Sequence, residues 1–138
     1  MKELKEILFG VNIDSVYGDT NLSISGISFD SRQIKQNNIF IAIKGYDLDG
    51  HNYIDQSINN GAIVVVCESL PKTINKYEIV FIKVKCSKIA LYTISSNLYG
   101  NPSSKIDLIG VTGTNGKTTI TSLLYKLFNN QGIKSGLI

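Results

Sequence analysis

The sequence predicts an α/β fold: an N-terminal α/β domain, then the first strand, loop and helix of a P-loop mononucleotide-binding domain. Three observations predict it. Short apolar runs recur at residues 39–43, 62–67 and 79–84, as strands buried on both faces do. Segments of helical periodicity alternate with them. A fresh apolar run, 106–111, follows a polar, Pro-containing stretch and enters a glycine-rich loop.

Taken in order, residues 2–9 place Leu4, Ile7 and Leu8 on one side of a short helix. Residues 22–29 set Leu22, Ile24 and Ile27 against Ser23, Ser25 and Ser28, with Gly26 suited to a bulge. Asp30-Ser31-Arg32 follows that strand's end. Gln36-Asn37-Asn38 is a turn, because Asn tolerates left-handed backbone angles. After strand 39–43, residues 45–50 form a loop. A helix over 52–59 stops at Asn60-Gly61. Strand 62–67, a loop over 70–77 and strand 79–84 come next. A helix over 87–98 carries Ala90, Leu91, Ile94 and Leu98 inward, with Tyr92 and Tyr99 as packing residues. Gly100-Asn101-Pro102 stops it.

The polar stretch 101–104 reads as a linker, so the domains are 1–101 and 105–138. Strand 106–111 should be buried. A helix over 117–129 should turn Ile120, Leu123, Leu124, Leu127 and Phe128 inward, with Gly132 just beyond. Leu137-Ile138 starts a further strand. A strand-helix-strand unit cannot bury both faces alone, so the chain is expected to be a piece of a longer one.

Composition excludes several classes. With 43% hydrophobic and 18% charged residues over 138 positions, the chain has a core and is not disordered. The net charge of +3 comes from lysines spread from Lys2 to Lys134, with a loose group at Lys72, Lys76, Lys83, Lys85 and Lys88. That spread suits a solvated surface, so no nucleic-acid partner is expected. Cys67 and Cys86 lack zinc-site spacing, and Cys67 ends an apolar run as a small hydrophobe. Met1-Lys2-Glu3-Leu4-Lys5-Glu6 lacks the long apolar stretch of a signal peptide, and no run approaches about 20 apolar residues. A cytoplasmic protein without membrane insertion is expected.

The chemistry concentrates in Thr112-Gly113-Thr114-Asn115-Gly116-Lys117-Thr118-Thr119. Glycines let backbone N–H groups close on phosphate oxygens, and the following helix adds its positive end. Lys117 supplies a full charge to the β- and γ-phosphates of ATP, and the Thr118 hydroxyl is placed for Mg²⁺. The general Gly-x-x-x-x-Gly-Lys-Thr pattern is not met, because Val111 stands where its first glycine belongs. A glycine-rich turn with an exposed lysine is the plain alternative.

Extended to Gly110, this run (Gly-Val-Thr-Gly-Thr-Asn-Gly-Lys-Thr-Thr) resembles the ATP loop of the Mur ligases, which join amino acids to the peptide of bacterial peptidoglycan. Asp30-Ser31-Arg32, then Asn38-Ile39-Phe40-Ile41-Ala42-Ile43-Lys44-Gly45, then Asp49-Gly50-His51 resembles the uridine-nucleotide-binding domain of that family. The likeness covers almost the whole chain. It is closer to the member that adds the third residue than to the one that adds D-Ala-D-Ala, which usually has Ser where Thr114 stands. Gln36-Asn37 departs from the family's frequent Pro-Gly, and a turn survives it.

The resemblance implies a ligase using ATP and Mg²⁺. It would phosphorylate the carboxylate of UDP-N-acetylmuramoyl-L-alanyl-D-glutamate and join the acyl phosphate to a diamino acid, meso-diaminopimelate or L-lysine. ATP would lie on Gly113, Thr114, Asn115, Gly116, Lys117, Thr118 and Thr119, with Lys117 catalytic. The UDP moiety would lie on Phe29, Ser31, Tyr46, Asp47 and Leu48. Phe29 and Ser31 flank Asp30 and, on a strand, would point to one side; Phe29 fits a core residue equally well. A monomer is expected, inactive as this chain alone. Asp30 and Arg32 read as a local ion pair or turn cap, and His51 as a cap or turn residue. The rivals are the dipeptide-adding ligase, folylpolyglutamate synthase, a P-loop kinase or GTPase, and a UDP-sugar-binding module without catalysis.

Overall fold

The computed structural model describes residues 1–72, 74 and 78–138. Part of the loop expected over 70–77, and Lys76 of the lysine group, lie outside them. The chain divides into two compact units, Met1–Ser103 and Ser104–Ile138.

The first unit is built on a five-stranded sheet in the order β2-β7-β6-β5-β4. Strands β4 (Gly26–Ser28), β5 (Asn38–Ile41), β6 (Ala62–Cys67) and β7 (Val80–Val84) run parallel, and β2 (Ile13–Tyr17) closes one edge antiparallel to β7. The continuous apolar runs are what a doubly covered parallel sheet requires. Alternate residues divide between two cores. Ile39, Ile41, Val64, Val66 and Ile82 join Leu4 and Ile7 of α1 (Leu4–Ile7) and Ala90 and Ile94 of α3 (Ser87–Leu98). Phe40, Ala42, Val65, Cys67 and Phe81 join Ile34 and, from α2 (Ile54–Asn59), Ile54. Burial pushes the Cys67 thiol up to about 11, so it packs as a hydrophobe. Asn97 ties α3 to the end of α1 by donating to the Ile7 and Phe9 carbonyls at 2.9 and 2.7 Å.

Several details depart from the pattern read in the sequence: the helix expected over 2–9 is only Leu4–Ile7, after a strand at Lys2–Glu3, and the strand expected over 39–43 ends at Ile41. The alternating segment 22–29 is two strands in two sheets. Ser23–Ile24 (β3) pairs with Lys2–Glu3 (β1), and Gly26 opens β4 with no bulge. Ser25 is the pivot: its amide donates to the Asn37 carbonyl at 2.9 Å and its hydroxyl to the Gln36 carbonyl at 2.8 Å. The turn before β5 has Asn37 at φ 61°, as an Asn turn predicts. Tyr92 and Tyr99 do not pack: they are 71% and 66% exposed, seven residues apart on the outward side of α3.

The second unit holds one helix, α4 (Lys117–Asn130), as the periodicity predicts. It ends in a Schellman arrangement, with Gly132 N donating to the Asn129 carbonyl and Ile133 N to the Phe128 carbonyl. Residues 106–111 are not a buried strand here. They carry no regular secondary structure and are exposed except for half-buried Val111, since a strand exists by pairing and no described segment pairs with them. For the same reason Ile120, Leu123 and Leu127 stay about half exposed or more, and Leu124 and Phe128 are only part-buried.

Candidate functional site

Every parallel strand of the first unit delivers its carboxyl end to one edge, where open α/β sheets bind ligands. Phe29 follows β4, the 45–50 loop follows β5, Glu68 follows β6 and Ser87 follows β7. The sequence gathers at this edge residues from four separate stretches of chain.

Phe29 is 62% exposed, which removes the core reading and leaves a free aromatic face. Ser31 differs from it in burial. It lies in a 3-10 turn, Ser31–Gln33, is 5% exposed, and donates its hydroxyl to Gln56 Oε1 of α2 at 2.7 Å. Asp30 is still extended, at φ −100° and ψ 114°, and the 3-10 turn begins at Ser31, beyond the strand on which the expected alternation rests. Asp30 starts the turn by accepting from Arg32 N at 3.0 Å, and it pairs with the Arg32 guanidinium at 2.9 and 2.8 Å. Those bonds hold the Asp30 carboxyl below the usual carboxylate range. Asp30 and Arg32 thus fill the local role their spacing suggests.

The 45–50 loop is a narrow hairpin. Gly45 N donates to the Leu48 carbonyl at 2.8 Å, Gly50 N to the Ile43 carbonyl at 2.9 Å, and Lys44 bridges to Asp49. Its tip presents Tyr46, Asp47 and Leu48 to solvent. Gly50 has no room for a side chain: a Cβ there would meet Ile43 N at 2.7 Å.

Glu68, which belongs to no motif, and the ring of His51, read in the sequence only as a cap or turn residue, meet at this edge. Glu68 accepts from Ser87 N and Ser87 Oγ, both at 2.8 Å, at the start of α3. These bonds lower its carboxyl from the ordinary value. His51 accepts at Nε2 from Glu68 N at 3.0 Å and Ser69 N at 3.3 Å. Its Nδ1 lies 2.6 Å from Asp49 Oδ1, and Asp49 also accepts from His51 N at 2.9 Å. The lone pair a general base would use is therefore already occupied. Only contacts between distant residues reveal Glu68 and the ring of His51.

Two surface concavities, of about 550 and 650 Å³, lie elsewhere on this unit. Neither is lined by Phe29, Ser31 or the hairpin tip.

In the second unit, Gly116 stands before α4 at φ 77°, a left-handed angle that favours glycine, and no side chain caps the helix. The first-turn amides thus lack both an intrahelical acceptor and a cap. Lys117 Nζ folds back onto the Gly113 carbonyl at 2.5 Å and reaches the Thr114 carbonyl at 3.4 Å. Gly113, Thr114, Asn115, Gly116, Lys117, Thr118 and Thr119 are all exposed. Thr118, expected from the sequence to offer a hydroxyl to Mg²⁺, is exposed next to Lys117 in the first turn of α4. Among the described residues no cluster of three His, Cys, Asp or Glu side chains could hold a metal ion. No described helix is long and apolar enough to cross a membrane.

Comparison with known proteins gives the family. The family model described as "Mur ligase family, catalytic domain" matches residues 23–97, more than half the chain and wholly within the first unit. A protein of Phocaeicola vulgatus named UDP-N-acetylmuramoyl-L-alanyl-D-glutamate--2,6-diaminopimelate ligase is 46% identical over 136 residues. A Clostridium tetani protein of the same name is 46% identical over 137 residues. Each alignment covers 99% of this chain, which spans only 28% of the length of those relatives. A solved structure under that enzyme name covers 95% of this chain and 26% of its own, at 25% identity and a TM-score of 0.58. MurF ligase of Thermotoga maritima, solved in complex with ADP, covers 76% of this chain and 23% of its own, at 29% identity and a TM-score of 0.52. The family match is independent of the phosphate loop, which lies outside residues 23–97, and on it the chain belongs to the Mur ligase family.

Proposed function

We propose that this chain carries the uridine-nucleotide-binding and ATP-binding sites of an amide ligase of peptidoglycan synthesis. The whole protein adds 2,6-diaminopimelate to UDP-N-acetylmuramoyl-L-alanyl-D-glutamate. The observation that carries the reading is the uncapped, glycine-led start of α4, with Lys117 over the loop. The names of the 46%-identical relatives support the choice of substrate and amino acid. The 1–101 domain is assigned the UDP-linked substrate and 105–138 the nucleotide.

Each residue then has a task. The N–H groups of the loop and first helical turn receive phosphate oxygens, and the helix end adds about 0.3–1 kcal/mol for an exposed anion. Lys117 exchanges its carbonyl partners for the β- and γ-phosphate oxygens and meets charge there in the transition state. Thr118 contributes one hydroxyl ligand to Mg²⁺. ATP would supply the γ-phosphoryl group to the substrate carboxylate, releasing ADP, and the amine of the amino acid would attack the acyl carbon, form the amide and release inorganic phosphate and a proton. Phe29 stacks on uracil, and the tip residues Tyr46, Asp47 and Leu48 close over the nucleotide. Ser31 adds a lone pair, because its proton is committed to Gln56. The protein is proposed to be a cytoplasmic monomer, and these 138 residues alone are expected not to ligate.

The MurF structures supply a second reading, the dipeptide-adding ligase, but at 28–29% identity against 46% it ranks behind. Lys117→Ala in the whole protein tests the assignment. Ligation should be lost while calorimetry with the UDP-linked dipeptide gives wild-type affinity. Retained ligation would remove Lys117 from its role.

A further inference from the structure

We propose that His51 is the positioning residue of the uridine-nucleotide hairpin. With its one proton on Nδ1, it clamps the base of that hairpin to the backbone leaving β6 and thereby sets the affinity for the UDP-linked substrate. The affinity part rests on the function proposed above.

The tip of the hairpin has little of its own to hold it. Tyr46 is fully exposed and Leu48 is 67% exposed, so its order must come from the base. Along the chain the base is secured by the Gly45–Leu48 and Gly50–Ile43 hydrogen bonds. Sideways, His51 joins it to a rigid neighbour. Val64, Val65, Val66 and Cys67 of β6 are completely buried, and Glu68 follows them directly. Backbone N–H groups of Glu68 and Ser69 both donate to Nε2. An imidazole nitrogen that accepts has no proton, so the ring proton is on Nδ1, 2.6 Å from Asp49 Oδ1. Asp49 is itself in the hairpin, bridged to Lys44. One ring thus spans the hairpin and the end of β6, and Glu68 carries the link to α3 through Ser87.

The arrangement makes a specific demand on chemistry. A replacement must accept from backbone amides at the far end of the side chain. Gln does so through its amide oxygen, whereas Leu fills similar volume and accepts nothing.

The test uses the full chain as wild type, His51→Gln and His51→Leu. Two-bond proton–nitrogen spectra of the wild-type ring should report the neutral Nδ1–H tautomer. In His51→Leu, the Glu68 and Ser69 amides should exchange with solvent faster, with thermal unfolding still cooperative. Affinity for UDP-N-acetylmuramoyl-L-alanyl-D-glutamate should fall about tenfold in His51→Leu and stay within about threefold in His51→Gln. ATP affinity should be unchanged in both. An Nε2–H tautomer, wild-type exchange at Glu68 and Ser69, or equal affinity of the three proteins would overturn the proposal. A wild-type chain that binds no UDP-linked dipeptide would instead overturn the assignment of the site, and that failure is distinguishable because the tautomer and exchange results would still hold.

Discussion

Replacing Gly50 by Ala puts the geometry of the hairpin base to a quantitative test. The added Cβ would stand 2.7 Å from Ile43 N, 2.8 Å from Ile43 O and 3.2 Å from Ala42 C, where ordinary contact begins at 3.4 Å. All three neighbours are backbone atoms at the end of β5, so no side chain can swing aside. The base must open by most of an ångström, which breaks the 2.9 Å bond from Gly50 N to the Ile43 carbonyl. Losing that bond costs about 0.5–1.5 kcal/mol and the crowding about 1–3 kcal/mol. The stiffer unfolded chain returns about 0.4–1 kcal/mol. The net expectation is a loss of about 0.5–4 kcal/mol. Urea unfolding followed by circular dichroism should show a lower midpoint at unchanged slope, and the UDP-linked dipeptide should bind more weakly. An unchanged midpoint with unchanged affinity would refute the claim that the hairpin base is held this closely.

Two further outcomes follow from the same edge. Glu68 has its carboxyl lowered from 4.5 by its bonds to Ser87, so its contribution is complete above that value and is lost as pH falls through the lower folded-state value. Asp49, lowered from 3.8 by His51, acts in the same sense. Unfolding free energy should therefore drop less steeply between pH 6 and pH 3 in Glu68→Gln than in wild type, and parallel curves would contradict the assignment. Ser31→Ala removes the 2.7 Å bond to the exposed Gln56 carbonyl, which water can replace, at a cost of about 0.5–1.5 kcal/mol. It should also weaken binding of the UDP-linked dipeptide while leaving ATP binding unchanged, and calorimetry with each ligand decides.

What could be read in the sequence was set by how each element is stabilised. Strand β6 and helix α3 were legible to the residue: one is an unbroken apolar run, the other has apolar spacing and a Gly-Asn-Pro stop. Strand β2 was not, because it is an antiparallel edge strand whose residues are only half-buried or exposed, which leaves a weak pattern. The outward place of Tyr92 was available: it lies two residues from both Ala90 and Ile94, about half a turn away from the buried face. At the site, Asp30, Arg32 and Asp49 act locally and could be anticipated from their spacing. His51 and Glu68 act across 17 and 19 residues, through a backbone amide and a helix start, and spacing carries no record of such contacts. The burial of Ser31 beside α2 was hidden for the same reason.

The most direct test is ligation by the whole protein with competing substrates. ADP release should require both UDP-N-acetylmuramoyl-L-alanyl-D-glutamate and 2,6-diaminopimelate, with GTP and D-Ala-D-Ala inactive in place of ATP and the amino acid. Nucleotide turnover indifferent to the UDP-linked dipeptide, or joining of D-Ala-D-Ala in place of the diamino acid, would contradict the account.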